Sequence, residues 1–253
     1  MVCFSRLATV AALFTTALVS AAPIDHGHSE PTLEKRAPTS AIYRCKKPGT
    51  IAITFDDGPW LYTGGLLDIL KSRNVKATFF FNGFGWGHID NFATVVKRAF
   101  DEGHQVASHT WDHKDLALLS ESEVIAEMTQ LDDAFKRIIG VRPTYMRPPF
   151  GSYTPTTLEI LHRLNYTAVS ADVDTRDWVH PTDFEASYNV YKALFDNPRD
   201  ITLPGHIVLN HETHRVTSLQ VAPMAIDLAK VKGYKVVTVG ECLGDPKSNW
   251  YRA

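Results

Sequence analysis

The sequence lacks the cysteine content, the excess of positive charge and the clusters of glycine and proline that each mark a particular class of protein. Its 253 residues include three cysteines, 26 basic against 28 acidic residues, and 15 glycines and 14 prolines spread along the chain. Three cysteines are too few for a disulfide-stapled scaffold, and a formal charge of −2 offers no positive field to hold nucleic acid or anionic lipid. Scattered glycine and proline exclude collagen-like or disordered chains. With 44% hydrophobic residues, the chain can bury a large core.

The N-terminal segment predicts a routing signal rather than a membrane anchor. Residues 7–21 read LATVAALFTTALVSA, follow Arg6 and contain no charge. This run is shorter than the roughly 20 residues that cross a bilayer, and its basic start and small-residue end are typical of a secretory signal peptide. We therefore predict a signal peptide over 1–21 and a secreted, extracellular protein, with cell-wall association left open.

The polar segment over 22–36 ends in Lys35-Arg36 and precedes a domain predicted over 37–253. A dibasic pair in an exposed, proline-flanked stretch is typical of a pro-segment cleavage site, although a solvated linker explains the same residues. The polar C-terminal stretch NWYRA predicts no lipid anchor.

Cysteine positions predict one disulfide. Cys3 leaves with the signal peptide, so Cys45 and Cys242 remain near the two ends of a secreted domain and are expected to pair. The sequon that begins at Asn165 predicts a glycan if its loop is exposed. We expect a monomer.

Short apolar runs alternate with amphipathic ones through the domain. The runs predict seven strands, over 51–55, 77–81, 105–108, 144–146, 166–171, 207–209 and 235–239. The amphipathic stretches predict helices over 64–73, 91–100, 121–139, 155–164, 184–195 and 216–231. This alternation predicts an α/β fold with a mostly parallel sheet, and one closed or nearly closed barrel is favoured because no linker interrupts it. In such barrels the chemistry lies at the carboxyl ends of the strands.

Two neighbouring carboxylates, Asp56 and Asp57, directly follow the first apolar run, and Gly58-Pro59 then forces a turn. Since neighbouring side chains of an extended segment point in different directions, one carboxylate can bind a cation while the other faces what the cation holds. An Asx turn that caps the next helix is the structural alternative. A glycosidase acid/base pair is disfavoured, because those carboxyls flank the scissile bond from opposite sides.

His109 and His113 follow another predicted strand with the spacing His-x-x-x-His. Two such imidazoles and one aspartate from the other strand end would give three protein ligands and an open position, which is how catalytic zinc is held. A structural pair of loop histidines is the alternative.

Three further polar groups follow predicted strands. Arg147 precedes two prolines that hold the chain rigid, and a guanidinium fixed near Asp56 would keep that carboxylate ionised. His211 ends another strand, and an aspartate near it would raise its pKa and keep it protonated as an acid. Asp174 and Asp177 are both candidates for that aspartate.

The five segments, taken in order, resemble the five motifs of the polysaccharide deacetylases (carbohydrate esterase family 4), most closely the secreted fungal chitin deacetylases. They cover residues 54–59, 108–113, 147–151, 174–178 and 209–211. The resemblance implies a distorted (β/α)7-type barrel in a single domain. It also implies a metal-dependent hydrolase that removes N-acetyl groups from chitin or chitooligosaccharides and releases acetate.

Carried over position by position, the resemblance implies three groups of functional residues. Asp57, His109 and His113 would bind a divalent metal, usually Zn²⁺, with Co²⁺ as a substitute. The catalytic set would be Asp56 as general base, His211 as general acid, Arg147 orienting Asp56, and Asp177 or Asp174 supporting His211. Trp178 and Leu209 would line the pocket for the acetyl methyl group, and the backbone N–H of Phe150 would stabilise the oxyanion. The family often has tyrosine where this chain has Phe150, which puts any substrate contact of the hydroxyl in doubt.

Two other function classes compete with this interpretation. The same fold could act on acetyl-xylan, which is an ester, or on peptidoglycan. A non-catalytic carbohydrate-binding protein on the same scaffold would bind oligosaccharide independently of chelators and of Asp56→Asn.

Overall fold

The computed structural model describes residues 1–2, 38–196 and 202–253. Apart from residues 1–2, the predicted signal peptide and pro-segment lie outside the described residues. The chain divides into units over 1–36 and 37–253, and the second unit contains all the elements below. Within the described ranges, no helix combines the length and apolarity that crossing a membrane requires.

The second unit is a single α/β domain. Its strands are β1 Arg44–Pro48, β2 Thr50–Asp56, β3 Thr78–Phe81, β4 Gln105–Ser108, β5 Arg142–Pro143, β6 Tyr145–Met146, β7 Thr167–Ala168, β8 Val173–Asp174, β9 Pro204–His211, β10 Lys235–Val237 and β11 Tyr251–Arg252. Its α-helices are α1 Thr63–Ser72, α2 Ala93–Asp101, α3 Glu121–Ile139, α4 Pro155–Arg163, α5 Phe184–Asp196, α6 Ala222–Val231 and α7 Val239–Leu243.

Nine strands form one curled sheet in the order β1-β9-β2-β3-β4-β6-β7, with β10 also pairing with β2 and β8 with β9. All these pairings are parallel except that of β1 with β9. The central strand β2 is buried at every residue, which explains why its residues before Asp56 are all apolar or β-branched. The mostly parallel sheet is confirmed.

The sheet is curled, and β1 and β7 at its two ends are not paired with each other but are linked by an isolated bridge. The N–H of Ile42 donates to the carbonyl of Ala168 at 2.9 Å, and the N–H of Ser170 donates to the carbonyl of Ile42 at 2.7 Å. These bonds join the chain just before β1 to the last residue of β7 and the chain just after it. The result is the distorted, incompletely closed barrel that was predicted.

Local sequence explains where the helices begin and end. Ser120 and Glu123 form a capping box at the start of α3, and Gly140 ends this helix with a left-handed φ of 80°. Thr154 caps α4, and Pro155 occupies its first turn. The caps hydrogen-bond to backbone groups that the helix itself leaves unpaired, and a proline in the first turn has no N–H to be left unpaired.

The structure differs from the predicted elements in several places. The described residues form eleven strands rather than seven, because β1, β5, β8 and β11 were not predicted, and the strand predicted over 166–171 is only Thr167–Ala168. The helix predicted over 216–231 begins with a π-helical turn, Thr217–Val221, before α6, where Pro223 has no N–H to donate to the preceding turn. The strand predicted to reach residue 239 ends at Val237, because Thr238 caps α7.

A predicted covalent link also forms. Cys45 and Cys242 are joined by a disulfide that connects β1 to α7 across 197 residues of sequence. The bond ties the two ends of the domain together at the side of the sheet formed by β1.

Candidate active site

The predicted polar residues gather around one cavity of about 470 Å³ at the carboxyl ends of the strands. The cavity is lined by ten of the eleven residues proposed for catalysis, metal binding or substrate binding: Asp56, Asp57, His109, His113, Arg147, Phe150, Asp174, Trp178, Leu209 and His211. The eleventh, Asp177, is fully buried behind His211. Parallel strands bring these segments together because all their carboxyl ends lie at the same end of the barrel.

One ligand atom from each of Asp57, His109 and His113 lies within 4.8 Å of the others. Oδ1 of Asp57 is 3.4 Å from Nε2 of His109 and 3.3 Å from Nε2 of His113. Nδ1 of His109 lies 2.7 Å from the carbonyl oxygen of Arg147 and donates to it, which leaves Nε2 to face Asp57. The three side chains therefore converge on one point.

This donor set fits a divalent metal. Oδ1 of Asp57 is buried and has no hydrogen-bond partner among the described residues, although a buried carboxylate oxygen ordinarily has one. Burial by itself raises the pKa of Asp57, but the His109 imidazole at 3.4 Å and the other nearby imidazoles outweigh it and hold the pKa well below its usual range. Burial lowers the pKa of His113 to about 4, so this ring is neutral near pH 7, as a metal ligand must be.

Unusual backbone conformations produce the convergence. Asp57, Thr110 and His113 have φ values of 69°, 70° and 55°, in the left-handed region that disfavours residues with a side chain. Each such residue costs on the order of 1–3 kcal/mol, and this strain concentrates at the candidate metal ligands and the turn between them.

Asp56 faces the same centre as Asp57. Its Oδ2 lies 3.8 Å from Nε2 of His109, and its Oδ1 accepts a hydrogen bond from Arg147 at 2.7 Å. The Arg147 guanidinium is 3% exposed, and it also donates to the hydroxyl of Thr54 at 2.8 Å. This buried pair leaves Oδ2 of Asp56 on the side of the cavity.

On another wall of the cavity, His211 is paired with Asp177. Nδ1 of His211 donates to Oδ1 of Asp177 at 2.7 Å, while Oδ2 accepts from the His211 N–H and the Thr217 hydroxyl at 2.7 and 2.9 Å. Burial by itself lowers the pKa of His211, but the hydrogen bond to Asp177 and its charge outweigh burial and raise the pKa to about 9. His211 is therefore an acid that stays protonated near pH 7.

The structure distinguishes the two aspartates that sequence analysis left open. The Asp174 carboxylate accepts from the N–H of Arg176 at 2.8 Å and from the indole N–H of Trp178 at 3.3 Å. It stabilises its own turn, whereas Asp177 contacts His211.

Apolar side chains form the outer wall. Phe150 and Trp178 are 72% and 57% exposed, and the Phe150 ring lies 4.7 Å from the ring of His113. Phe150 occupies a turn with φ 59°. Exposed aromatic faces beside a polar cavity are suited to stacking on sugar rings.

Two polar residues of this region, Asn82 and Glu212, were not predicted from the sequence. A second cavity of about 310 Å³ shares Asp57 and His113 with the first and is also lined by Asn82, Gly85 and Trp86. The signal for Asn82 was present, since it is a polar residue directly after the apolar run of β3.

Glu212, which directly follows His211, was also missed. It is fully buried, and burial with the nearby aspartates raises its pKa well above the usual range. A Cβ on Gly58 would lie 1.7 Å from its Oε1, which explains the glycine after the two aspartates.

The glycosylation sequon lies away from the cavity. Asn165 is exposed in the turn after α4, with φ 66°.

Comparisons with known proteins agree with this geometry. The family model described as "Polysaccharide deacetylase" matches residues 43–169. A probable peptidoglycan-N-acetylglucosamine deacetylase from Arthroderma benhamiae is 46% identical over 83% of this chain, which spans about half (48%) of that relative's length. A chitin deacetylase from Pestalotiopsis sp. is 44% identical over 84% of this chain and 70% of its own length.

A solved structure is also similar. The chitin deacetylase of the fungal pathogen Colletotrichum lindemuthianum superposes with a TM-score of 0.80 at 39% identity, covering 85% of this chain and 96% of that one.

Proposed function

This chain belongs to the polysaccharide deacetylase family, and from that premise we propose that it removes N-acetyl groups from chitin or chitooligosaccharides and releases acetate. Likeness to two fungal chitin deacetylases, one of them matched over nearly its whole solved chain, supports this substrate.

One observation carries the proposal. A single cavity holds a carboxylate paired with a buried cation, an imidazole kept protonated by a buried carboxylate, and three converging ligands. Amide hydrolysis needs a base that removes a proton from water and an acid that protonates the departing nitrogen. The pairs Asp56–Arg147 and His211–Asp177 are suited to these two tasks.

The residues Asp57, His109 and His113 would hold a divalent metal, for which we propose Zn²⁺, with Co²⁺ as a substitute. When bound, the metal supplies a Lewis acid beside the amide carbonyl and lowers the pKa of a neighbouring water. The Asp57 carboxylate, whose pKa is held low, and the His113 ring, whose pKa is lowered to about 4, favour a cation there.

The chain's own residues then act in order. Asp56 accepts a proton from the attacking water, with its carboxylate held by Arg147. The backbone N–H of Phe150 donates to the oxyanion, a contribution worth about 3 kcal/mol for one such donor. His211 donates its proton to the amine nitrogen as the bond to the acetyl carbon breaks. Trp178 and Leu209 line the space for the acetyl methyl group.

Mass spectrometry of a chitooligosaccharide series tests the proposal. Incubation with metal-loaded protein should lower the mass of an oligosaccharide by about 42 Da for each sugar on which an acetyl group is replaced by hydrogen. Chelation should abolish this mass loss, because the protein ligands alone supply no Lewis acid. Asp56→Asn should be inactive with the metal bound. Oligosaccharide binding that persists unchanged in both conditions without acetate release would instead identify a carbohydrate-binding protein.

Peptidoglycan is the second candidate substrate, because a relative named for it is 46% identical. Acetate release from purified peptidoglycan, but not from chitooligosaccharides, would favour this alternative. Acetyl-xylan in a parallel assay separates esterase from amidase activity.

We also propose that the protein is secreted, with residues 1–21 as the signal peptide, 22–36 as a pro-segment, and a glycan on Asn165. The disulfide supports this route, since structural disulfides persist in oxidising compartments. The exposed position of Asn165 leaves it accessible for glycosylation. N-terminal sequencing of the secreted protein would identify the mature end.

A further inference from the structure

One buried amide side chain joins the two segments that carry the candidate metal ligands. Asn82 directly follows β3 and is 2% exposed. Its backbone N–H donates at 2.7 Å to the carbonyl of Gly58, the residue after Asp57. Its side-chain NH₂ donates to the carbonyls of His109 and Thr110, at 2.5 and 3.0 Å. Asn82 is thus hydrogen-bonded to the segments on both sides of the metal site.

The two side-chain bonds stabilise an unusual turn. In an extended strand, successive carbonyls point to opposite sides, so one NH₂ group cannot reach both. Thr110 has φ 70°, and this left-handed residue turns the carbonyls of His109 and Thr110 toward the same donor. The same turn directs the chain back, so that His113 lies beside His109, with ring centroids 4.9 Å apart.

A side chain with only one N–H or O–H donor, or with none, would leave this turn weakly supported. The carbonyl of Thr110 also accepts a longer bond, 3.3 Å, from the N–H of Gly83. The only bond to the His109 carbonyl recorded among the described residues is the one from Asn82. Removing the amide would therefore leave a buried carbonyl unpaired beside a metal ligand.

We propose that Asn82 is a positioning residue that sets the distance of His109 and His113 from Asp57 to the span a divalent metal requires. The inference rests on the proposed function only through the metal site. It does not require that the substrate be chitin. Asn82 acts through the backbone of its neighbours and touches no ligand atom in the contacts described.

Gln105 provides a matched control. It is also a buried amide, on β4, and its Oε1 accepts from the hydroxyl of Thr78 and the N–H of Gly240 at 3.1 and 2.9 Å. It therefore joins separate segments as Asn82 does, but at the amino end of the strand whose carboxyl end leads to His109. Loss of either amide should lower stability, and only loss of Asn82 should change the metal site.

The experiment measures metal affinity without substrate. Zn²⁺ is titrated into the secreted protein and its variants in competition with a chromophoric chelator, and the visible spectrum of the Co²⁺-loaded protein reports coordination geometry. We expect Asn82→Ala to weaken Zn²⁺ binding by about 10–100-fold, the range found when groups that orient metal ligands are removed. Asn82→Asp, which keeps the shape but replaces the donors with a carboxylate facing two carbonyls, should weaken it at least as much.

The outcomes separate this inference from the proposed function. Weakened binding and an altered Co²⁺ spectrum in the Asn82 variants, with Gln105→Ala like wild type, support it, even if no acetate is released from chitin. Unchanged affinity in folded Asn82→Ala and Asn82→Asp overturns it, as does equal weakening in Gln105→Ala or a wild-type protein that binds no metal. If Asn82→Ala does not fold, Asn82→Ser, whose hydroxyl is too short to reach both carbonyls, replaces it.

Discussion

Replacing Asp177 with asparagine should change the pH dependence of deacetylation rather than lower activity uniformly. His211 is 2.7 Å from Asp177, and this carboxylate is the main reason that the pKa of His211 is raised from 6.5 to about 9 despite burial. A shift of about 2.5 pKa units corresponds to roughly 3 kcal/mol of interaction that favours the protonated ring. Asparagine keeps the size of the side chain and removes the charge.

The size of the effect follows from the fraction of His211 that is protonated. With a pKa of about 9, about 90% of the rings carry the proton at pH 8, whereas with the ordinary value of 6.5 about 3% do. Asp177→Asn should therefore lower kcat by about 30-fold or more at pH 8, because burial of the ring lowers its pKa further, and by a much smaller factor near pH 5.5, where more of the variant's rings are protonated. Because the pKa of His211 is raised in the folded protein, its ion pair with Asp177 stabilises the fold fully below pH 6.5. This stabilisation is lost as the pH rises through about 9.

The assay is acetate release from a chitooligosaccharide between pH 5.5 and 9.5, with metal occupancy measured in each sample. Asp174→Asn is the matched control, because Asp174 stabilises its own turn and does not contact His211 in the bonds described. The alkaline limb of Asp177→Asn should move to lower pH, and that of Asp174→Asn should stay in place. A loss of the same factor at every pH would refute the reasoning, because it would mean that Asp177 acts on structure and not on protonation.

Three further predictions follow from single contacts. Arg147→Met should reduce activity at least tenfold and lower the free energy of unfolding by about 3–5 kcal/mol, because it leaves the Asp56 carboxylate buried without its cation. Arg147→Lys keeps a cation and should lose less activity and less stability. Equal losses in the two variants, measured by kinetics and thermal unfolding, would contradict this. The double variant Cys45→Ser, Cys242→Ser should lose about 2–5 kcal/mol and roughly 10 °C in unfolding midpoint, since the disulfide closes a loop of 197 residues; an unchanged midpoint would exclude that contribution. Asn165→Gln should abolish a glycosidase-sensitive mass increase in protein secreted from a eukaryotic host without changing acetate release, because Asn165 is exposed and does not line the cavity.

Several elements could not be read from the sequence because they depend on distant partners. β1 pairs antiparallel with β9, and the chain reverses at Gly49 to begin β2 on the other edge of β9. A Cβ on Gly205, in β9, would lie 1.8 Å from the carbonyl oxygen of Thr50, so this close approach requires glycine. Nothing in either segment alone indicates that contact.

The candidate site was also predictable only in part. The five polar segments that follow strands predicted which parts of the chain would meet, since parallel strands place their carboxyl ends together. The choice between Asp174 and Asp177 needed the backbone between them, where Arg176 has φ 56° and turns the two carboxylates to different partners. Asn82 was visible only as a polar residue at the end of a buried strand.

By itself, the sequence determined what near neighbours along the chain can determine: the alternation of strands and helices, and five polar segments each placed after a strand. Only the tertiary structure decided which atoms meet, such as Arg147 and Asp56 across 91 residues. The physical reason is that hydrophobic period and capping act over a few residues. A distance between side chains on different strands depends instead on strand order, on the curl of the sheet and on a few left-handed residues, and no local pattern encodes that combination.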